Sequence, residues 1–263
     1  MKKQLPKLCV VLLFFFFTNA RSQTSFSHEF GANFGITSFQ PDFGLSTEFE
    51  SANQSNIAFG FSYYLKFFGS QYNWRSGSSF FSEHFKLRLD FSYINNTNIN
   101  NDGNKGTSSF DEKMRAMTGQ IKLYNAGLSF EYYFLKLEDY SSFYKTTGSI
   151  NPFISVGLGY SYSQPDILVN DVSLKGQQEP YTQLIPKWQE GAVFLDPENI
   201  FSATAGAGVR FGLEMLDFSL EARYQYYFSD VVDGLNAPND PGNKGNDSMV
   251  SITAGIIYVF GKY

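Results

Sequence analysis

Apolar and polar residues alternate with a period of two in segments spread along the chain, which is typical of strands with two different faces. In the segment 26–36, Phe, Ala and Ile alternate with Ser, Glu, Gly and Asn, and the last such segment ends in an aromatic residue, Phe260. Bounded by turn-forming residues, these segments predict strands. The eight predicted strands are 26–36, 57–65, 85–93, 124–134, 154–162, 201–211, 218–228 and 249–260.

Bulky aromatic residues occupy one face of these segments, and small or charged residues occupy the other. Aromatic residues make up 18% of the chain and charged residues 17%. Each segment has roughly the nine to eleven residues of a tilted membrane strand, and the strand number is even. Backbone groups in lipid must all be paired, so such a sheet has to close. The prediction is an all-β fold, an eight-stranded antiparallel transmembrane β-barrel with its bulky face towards lipid. A soluble barrel of the lipocalin type would carry that face inside.

The first 22 residues have the features of a signal peptide. Three lysines precede an apolar stretch at 8–17 that is too short to span a bilayer as a helix, and small residues stand at Ala20 and Ser22. We expect cleavage after Ser22, which leaves a barrel at 23–263. Cleavage there also removes Cys9, the single cysteine of the chain.

Charge and residue usage narrow the possible functions. Without the signal peptide, 16 basic and 25 acidic residues give a net charge of about −9, which argues against nucleic acid as a partner. The two histidines, His28 and His84, fall near the predicted inner rim without the neighbouring Ser and Asp residues that a hydrolase needs. We therefore predict no enzyme activity, no cofactor and no metal site, and a location in the outer membrane of a Gram-negative bacterium.

The charged residues of the predicted inner face have to pair, because an isolated charge in a narrow lumen is very costly. The prediction is an ion-pair network that plugs the lumen, with a gated ion or proton path as the alternative. Its members are Glu29, Lys86, Arg88, Asp90, Glu131, Arg210, Glu221 and Arg223. Aromatic residues at the strand ends predict girdles at the two membrane surfaces. These residues are Tyr63, Tyr93, Tyr124, Tyr162, Tyr226, Phe228, Tyr258 and Phe260.

The connections predict one orientation, with the N-terminus in the periplasm and the long connections outside. The predicted outer loops are 37–55, 95–121, 164–199 and 229–248, and the inner connections are 66–84, 135–151 and a tight turn at 212–217. The Asn-rich stretch 95–106 is interpreted as a solvated loop. Carboxylates at 229–247 fit either Ca²⁺ binding or turn formation, with turns preferred. The long connection 164–199 either caps the barrel or docks a partner.

Several blocks of sequence resemble a family of small outer-membrane barrels from Bacteroidota to which no reaction is assigned. The blocks are S-E-H-F-K-L-R-L-D at 82–90, A-M-T-G-Q-I-K-L-Y-N-A-G at 116–127, N-P-F-I-S-V-G-L-G-Y at 151–160 and Y-Y-F-S-D-V-V-D-G-L-N at 226–236. The C-terminal end is also distantly similar to the small barrel component of the type IX secretion apparatus, which docks with periplasmic ring proteins.

The resulting hypothesis is a non-enzymatic structural or docking protein with a charge-plugged lumen. Membrane lipid and, during insertion, the barrel-assembly machinery are expected partners. A protein partner would bind the loops 164–199 and 229–248 or the connections 66–84 and 135–151. A subunit of the type IX secretion apparatus and a narrow channel are the alternatives.

Overall fold

The computed structural model describes residues 26–40, 55–67, 79–100, 106–137, 149–178, 184, 191–213, 216–236 and 246–260. The predicted signal peptide at 1–22 lies outside these residues. Within them, the strands are β1 Phe26–Gln40, β2 Ser55–Phe67, β3 Phe85–Asn100, β4 Met117–Tyr133, β5 Ser149–Val169, β6 Val172–Ser173, β7 Glu198–Gly212, β8 Leu216–Tyr227 and β9 Ser248–Val259, and the helices are α1 Phe80–His84 and α2 Ser109–Arg115.

Eight of the described strands close into one antiparallel barrel. Each strand pairs with its neighbours in the order β1, β2, β3, β4, β5, β7, β8, β9, and β9 pairs back onto β1. The short β6 only extends the edge of β5. The predicted fold class is therefore confirmed, and all eight predicted strands are present. None of the described helices is long and apolar enough to cross a bilayer.

The barrel has two different ends. We call the end that holds the connections β2–β3, β4–β5 and β7–β8 the turn end, and the opposite end the loop end. The first strand, β1, begins at Phe26 at the turn end, and the last strand, β9, ends at Val259 at the same end. The Phe260 backbone N–H continues the pairing of these two strands by donating to the His28 carbonyl at 3.0 Å.

The outer face carries the predicted band of bulky apolar side chains. Leu158 and Phe201 are 68% and 66% exposed, values that are unusual for large apolar residues in water. Other exposed members of the band are Phe30, Phe34, Phe59, Phe61, Phe91, Leu128, Phe130, Ile154, Val156, Leu220, Ile252 and Ile256. Because a closed barrel with such a band is the architecture of outer-membrane proteins, the predicted outer-membrane location is supported by the fold itself.

Towards the loop end, the inward face of the strands becomes apolar and the outward face becomes polar. On β4, the inward face is polar at Ser129 and Glu131 but apolar at Ile121 and Leu123, and the outward face changes from Tyr124 to the exposed Lys122. The same change occurs on β5, where Ile167 points inward and Gln164 and Asp166 point outward. The border between the two patterns lies at Leu123 and Tyr124 on β4. On the loop-end side of this border, the strands have the polarity of a barrel in water, with apolar residues inside and polar residues outside.

The lengths of the strands agree with this division. At a rise of about 3.3 Å per residue and a tilt of about 40°, the part of β4 from Tyr124 to Tyr133 spans about 25 Å, which matches the apolar band of a membrane barrel. The part from Met117 to Leu123 then extends about 18 Å beyond the membrane by the same geometry. About two fifths of the length of β4 consequently lies outside the lipid.

The predicted boundaries at the loop end are wrong for this reason. The outer loops 95–121 and 164–199 are too long, because β3 continues to Asn100, β4 begins at Met117 and β5 continues to Val169. The predicted solvated loop 95–106 is thus strand up to Asn100. At the turn end, the connections 66–84 and 135–151 are shorter than predicted, since β2 ends at Phe67 and β5 begins at Ser149.

Local sequence explains the ordered parts of the loop end. Helix α2 begins with a capping box, in which the Ser108 hydroxyl accepts from the Asp111 N–H and the Asp111 carboxylate accepts from the Ser108 N–H. Between β5 and β6, Asn170 and Asp171 have φ values of 49° and 65°, the left-handed conformation of a tight two-residue hairpin turn. These elements position Met114 of α2 over the lumen, where it is buried.

Candidate functional site

The first group of charges in the lumen lies nearest the turn end. Lys86 Nζ donates to both carboxylate oxygens of Glu29 at 2.8 Å. Arg210 Nη2 donates to Glu29 Oε2 at 2.5 Å, and Arg210 Nε donates to Asp217 Oδ2 at 2.9 Å. All four side chains are buried. This group therefore joins strands β1, β3, β7 and β8 inside the barrel.

A second group is centred on Arg88. Its guanidinium contacts three carboxylates: Nε with Asp90 at 2.8 Å, Nη1 with Glu131 at 2.5 Å and with Glu221 at 3.0 Å. Arg223 adds contacts of 2.9 Å to Glu221 and 3.4 Å to Asp90. Arg88 and Glu221 stand on β3 and β8, four strands apart in the eight-membered ring. The pair thus crosses the full width of the lumen.

Aromatic hydroxyls and rings connect the two groups. The Tyr133 hydroxyl donates to Glu131 Oε2 at 2.6 Å and accepts from Arg210 Nη1 at 3.4 Å. The Arg210 guanidinium lies 5.3 Å from the centre of the Tyr64 ring, within range of a cation–π interaction. The charged groups therefore form one connected polar layer instead of separate pairs.

The structure brings together all eight charged residues that the sequence suggested for the network. It also places two further charges in the lumen that the sequence analysis missed, Lys66 and Asp217. Each continues the inward-facing phase of its strand, one residue beyond Leu65 and one before Phe218, where the predicted strands ended. With these two, the polar layer contains five cations and five anions and has no net formal charge.

Inward-facing glycines make room for this layer. A Cβ on Gly206 would lie 2.6 Å from Glu221 Oε1 and 2.7 Å from Ser155 Oγ. Ser155 Oγ itself donates to Glu221 Oε1 at 2.8 Å. The absence of a side chain at Gly206 thus allows a carboxylate and its hydroxyl partner to pack against the barrel wall.

A small apolar stopper lies between the polar layer and the turn end. Tyr133, Leu137 and Phe153 form a buried cluster, and Lys66 Nζ donates to the Leu137 carbonyl at 3.1 Å. The Asn151 side chain holds the adjacent turn by pairing with both the N–H and the carbonyl of Leu135 at 3.1 Å. This end of the lumen is filled by side chains.

The loop-end half of the lumen contains a hydrophobic core, which the sequence analysis did not predict. Strand residues contribute Phe39, Ala58, Ile94, Ile99, Met117, Ile121, Leu123, Ile167, Ile200, Tyr227 and Met249, and the connections contribute Met114, Leu174, Leu184, Ala192, Val232 and Leu235. The connection 164–199 is therefore at least in part a cap, one of its two predicted roles.

Residues 232–235 of the sequence block 226–236 belong to this cap. Val232 and Leu235 are fully buried, and the Val232 N–H donates to Asp247 Oδ2 at 2.8 Å. Gly234 has a φ of +85°, and a Cβ there would approach the Pro165 side chain to 2.9 Å. Of the described carboxylates in 229–247, Asp233 also serves a turn, by accepting from the Leu235 N–H.

A cavity of about 50 Å³ separates the polar layer from the hydrophobic core. It is lined on the polar side by Tyr64, Arg88 and Arg223, and on the apolar side by Ile94 and Met249. A cavity of this size has room for a few water molecules, and its polar wall offers them partners.

The predicted girdle residues lie near the two ends of the apolar band. At the loop-end border, Tyr93, Tyr124 and Tyr162 form a row across three strands, with ring centroids 5.0 and 6.3 Å apart. Tyr226 packs on Phe228 there. The predicted residues towards the turn end are Tyr63, Tyr258 and Phe260, and Phe67, Phe80, Phe81, Phe85 and Tyr132 add an aromatic group that the sequence analysis did not assign.

Neither histidine stands beside a Ser or Asp side chain in the described hydrogen bonds. His28 Nδ1 and the Tyr63 hydroxyl are 2.6 Å apart, and His84 Nδ1 contacts the Tyr133 carbonyl at 2.7 Å. Among the residues that the structure describes, no group of three or more His, Cys, Asp or Glu side chains is arranged to hold a metal ion.

No protein-family model and no curated protein matches the chain. Solved structures that resemble its fold include the three that follow. Neisserial surface protein A is 12% identical, with a TM-score of 0.40 over 89% of this chain and 97% of that chain. Ail, the attachment invasion locus protein of Yersinia pestis, solved with the heparin analogue sucrose octasulfate, is 11% identical, with a TM-score of 0.42 over 90% and 99%.

The third structure is the outer membrane enzyme PagL, which is 13% identical, with a TM-score of 0.33 over 88% of this chain and 98% of that chain. At such low identities and TM-scores, the likenesses carry no argument about binding or catalysis. The fold assignment rests on the strand pairing described above.

Proposed function

We propose that this protein is a non-conducting, non-enzymatic outer-membrane barrel that presents its loop end as a docking surface for another protein. The observation that carries the proposal is the filling of the lumen at three levels: the apolar stopper, the polar layer and the hydrophobic core. A filled barrel provides a rigid support and not a path. The strand extensions and the ordered connections form a cap beyond the membrane.

The cap has surface features that fit a docking role. Phe110 on α2, Val172 at the β5–β6 turn and Phe194 in the connection to β7 are 41%, 59% and 40% exposed. They belong to the part of the molecule that extends into water, where large exposed apolar side chains favour protein contacts. The Phe194 and Asn236 backbone N–H groups donate to the Gly234 and Ala192 carbonyls, and the Ser163 hydroxyl of β5 donates to the Val232 carbonyl. These hydrogen bonds keep the surface ordered.

Co-purification from native outer membranes in mild detergent tests the proposal. The tagged protein should retain a partner, identified by mass spectrometry, that the triple variant Phe110→Ser, Val172→Ser, Phe194→Ser loses. Lys175→Ser, an exposed change in the same cap, is the matched control and should retain it. Equal recovery of the same proteins by all three would contradict a docking surface at the cap.

A subunit of the type IX secretion apparatus of Bacteroidota is the second candidate. Support for it comes from the resemblance of the block 226–236 and the strand that follows. Periplasmic ring proteins would then co-purify and contact the turn end, so their recovery should be unaffected by the triple cap variant. Steady single-channel currents in planar bilayers would instead favour a narrow channel and would contradict a closed lumen.

A further inference from the structure

The short helix α1 at the turn end has the reverse of the polarity expected in water. It begins after Ser79, whose hydroxyl accepts from the Ser82 N–H at 3.2 Å. Phe80 and Phe81 are 62% and 45% exposed, whereas Ser82 and Glu83 are buried. A surface helix in water turns its apolar residues towards the protein, so α1 is adapted to an apolar medium on its outer side.

Helix α1 also continues the lipid-facing band of the barrel. The Phe81 ring stacks on Phe85 with centroids 4.9 Å apart and packs against Phe67 at 5.0 Å. The Phe80 ring lies 6.3 Å from that of Tyr132. Phe67, Phe85 and Tyr132 are on the outward faces of β2, β3 and β4, so the exposed rings of α1 are contiguous with an existing lipid surface.

Polar contacts fix the helix in this orientation. Glu83 pairs with Lys136 Nζ at 3.0 Å, and His84 Nδ1 contacts the Tyr133 carbonyl at 2.7 Å. Both partners belong to the end of β4 and the residues that follow it. The polar side of α1 is therefore held against the barrel rim, and its aromatic side is held away from it.

We propose that α1 is a membrane anchor whose Phe80 and Phe81 rings insert among the phospholipid acyl chains of the leaflet at the turn end, just below the headgroups. Aromatic rings are favoured at this depth. The occupant of this surface is lipid and not a protein bound to the connection 66–84. The inference concerns the turn end and does not depend on docking at the cap.

Spin labelling tests the depth of Phe81. In a Cys9→Ser background, a nitroxide attached at Phe81→Cys in protein reconstituted into phosphatidylethanolamine and phosphatidylglycerol vesicles should collide more with oxygen than with a water-soluble nickel chelate. Phe59→Cys on the barrel wall is the lipid reference, and Phe110→Cys on the cap is the water reference. A response like that of Phe110→Cys would overturn the proposal, and so would exclusion of both reagents, which indicates protein cover.

A second measurement removes the rings. The double variant Phe80→Ser, Phe81→Ser should unfold at a lower temperature than the native protein in vesicles, followed by heat-modifiability on gels. Phe110→Ser, which also removes an exposed phenyl ring, should leave the transition unchanged. Equal transitions for all three proteins would contradict an anchor. If the double variant does not fold, the label at Phe81 still decides the question.

Discussion

The turn-end half of the lumen holds ten charged side chains, whereas the loop-end half of the same lumen holds a hydrophobic core. The medium outside the barrel differs between the halves in the opposite sense, because lipid surrounds the first and water the second. The half surrounded by lipid therefore has its charged residues inside, and the half surrounded by water has its apolar residues inside. The difference shows that the surrounding medium determines the polarity of the interior, although the same strands run through both halves.

The two cores are also stabilised by different interactions. In the polar layer, directional ion pairs such as Arg88–Glu221 join strands across the lumen, and loss of one partner leaves a buried charge uncompensated. In the hydrophobic core, the contacts of side chains such as Ile167 are not directional, and loss of volume leaves a cavity. Substitutions in the two halves should therefore differ in size and in what rescues them.

The largest effect is expected for Arg88→Met. It leaves Asp90, Glu131 and Glu221 without their shared cation, and breaking a buried pair in this way costs about 3–5 kcal/mol. Urea titration of the reconstituted barrel, followed by heat-modifiability, measures the loss. Lys122→Met, an exposed change on the outward face of β4, is the control. If both variants unfold at the same urea concentration as the native protein, the polar layer does not stabilise the barrel.

Ile167→Ala should have the next largest effect. Ile167 is fully buried in the loop-end core, and removal of its side chain should lower the free energy of unfolding by about 2–5 kcal/mol. Val172→Ala, five residues further along but 59% exposed, should change it by less than about 0.5 kcal/mol. Equal losses from the two changes would mean that the loop-end half is not packed as a core.

Gly206→Ala should destabilise the polar layer by crowding it. The added methyl group would displace Glu221 or Ser155, and overpacking of this kind costs about 1–3 kcal/mol. Gly127→Ala is the matched control, because a Cβ there has its nearest neighbour, the Leu158 carbonyl, at 3.6 Å. Thermal transitions in vesicles should separate the two variants, and a larger drop for Gly127→Ala would contradict the packing described.

Arg223→Ala should have the smallest effect of the four, about 1 kcal/mol, because its side chain is 21% exposed and Glu221 keeps its contacts with Arg88. Glu221→Ala should lower the thermal midpoint more, because it removes a nearly buried carboxylate that Arg88 and Arg223 share. A larger drop for Arg223→Ala would place the centre of the network elsewhere than at Arg88.

The sequence was sufficient to predict the barrel, because each strand on the turn-end side of the border has lipid on its outward face and a polar lumen on its inward face. Alternation such as that of Phe59 and Phe61 with Gly60 and Ser62 then gives both the strand and its orientation. The inward charges followed from the same alternation. In the membrane-spanning part of a strand, only an inward-facing position keeps a residue such as Arg88 away from lipid.

The loop-end half could not be predicted in the same way. At Leu123 and Tyr124, two large apolar residues are adjacent, and the alternation continues beyond them with its faces exchanged. A prediction that assumes lipid along the whole outward face therefore ends the strand at that point. Contacts between distant segments, such as that of Ser163 with Val232, carry no local signal and appear only when the barrel has closed.

The exchange of faces on β4 also restricts how the strand can pair. A slip of one residue against β5 would turn Glu131 towards lipid and, on the same strand, Ile121 towards water. A slip of two residues keeps each side chain on its face but carries Lys122 to the level of the row of tyrosines, at the edge of the hydrocarbon. A one-residue slip is thus opposed by lipid and by water at once, and a two-residue slip by lipid. A strand that spans both media is therefore fixed in its position along the membrane normal.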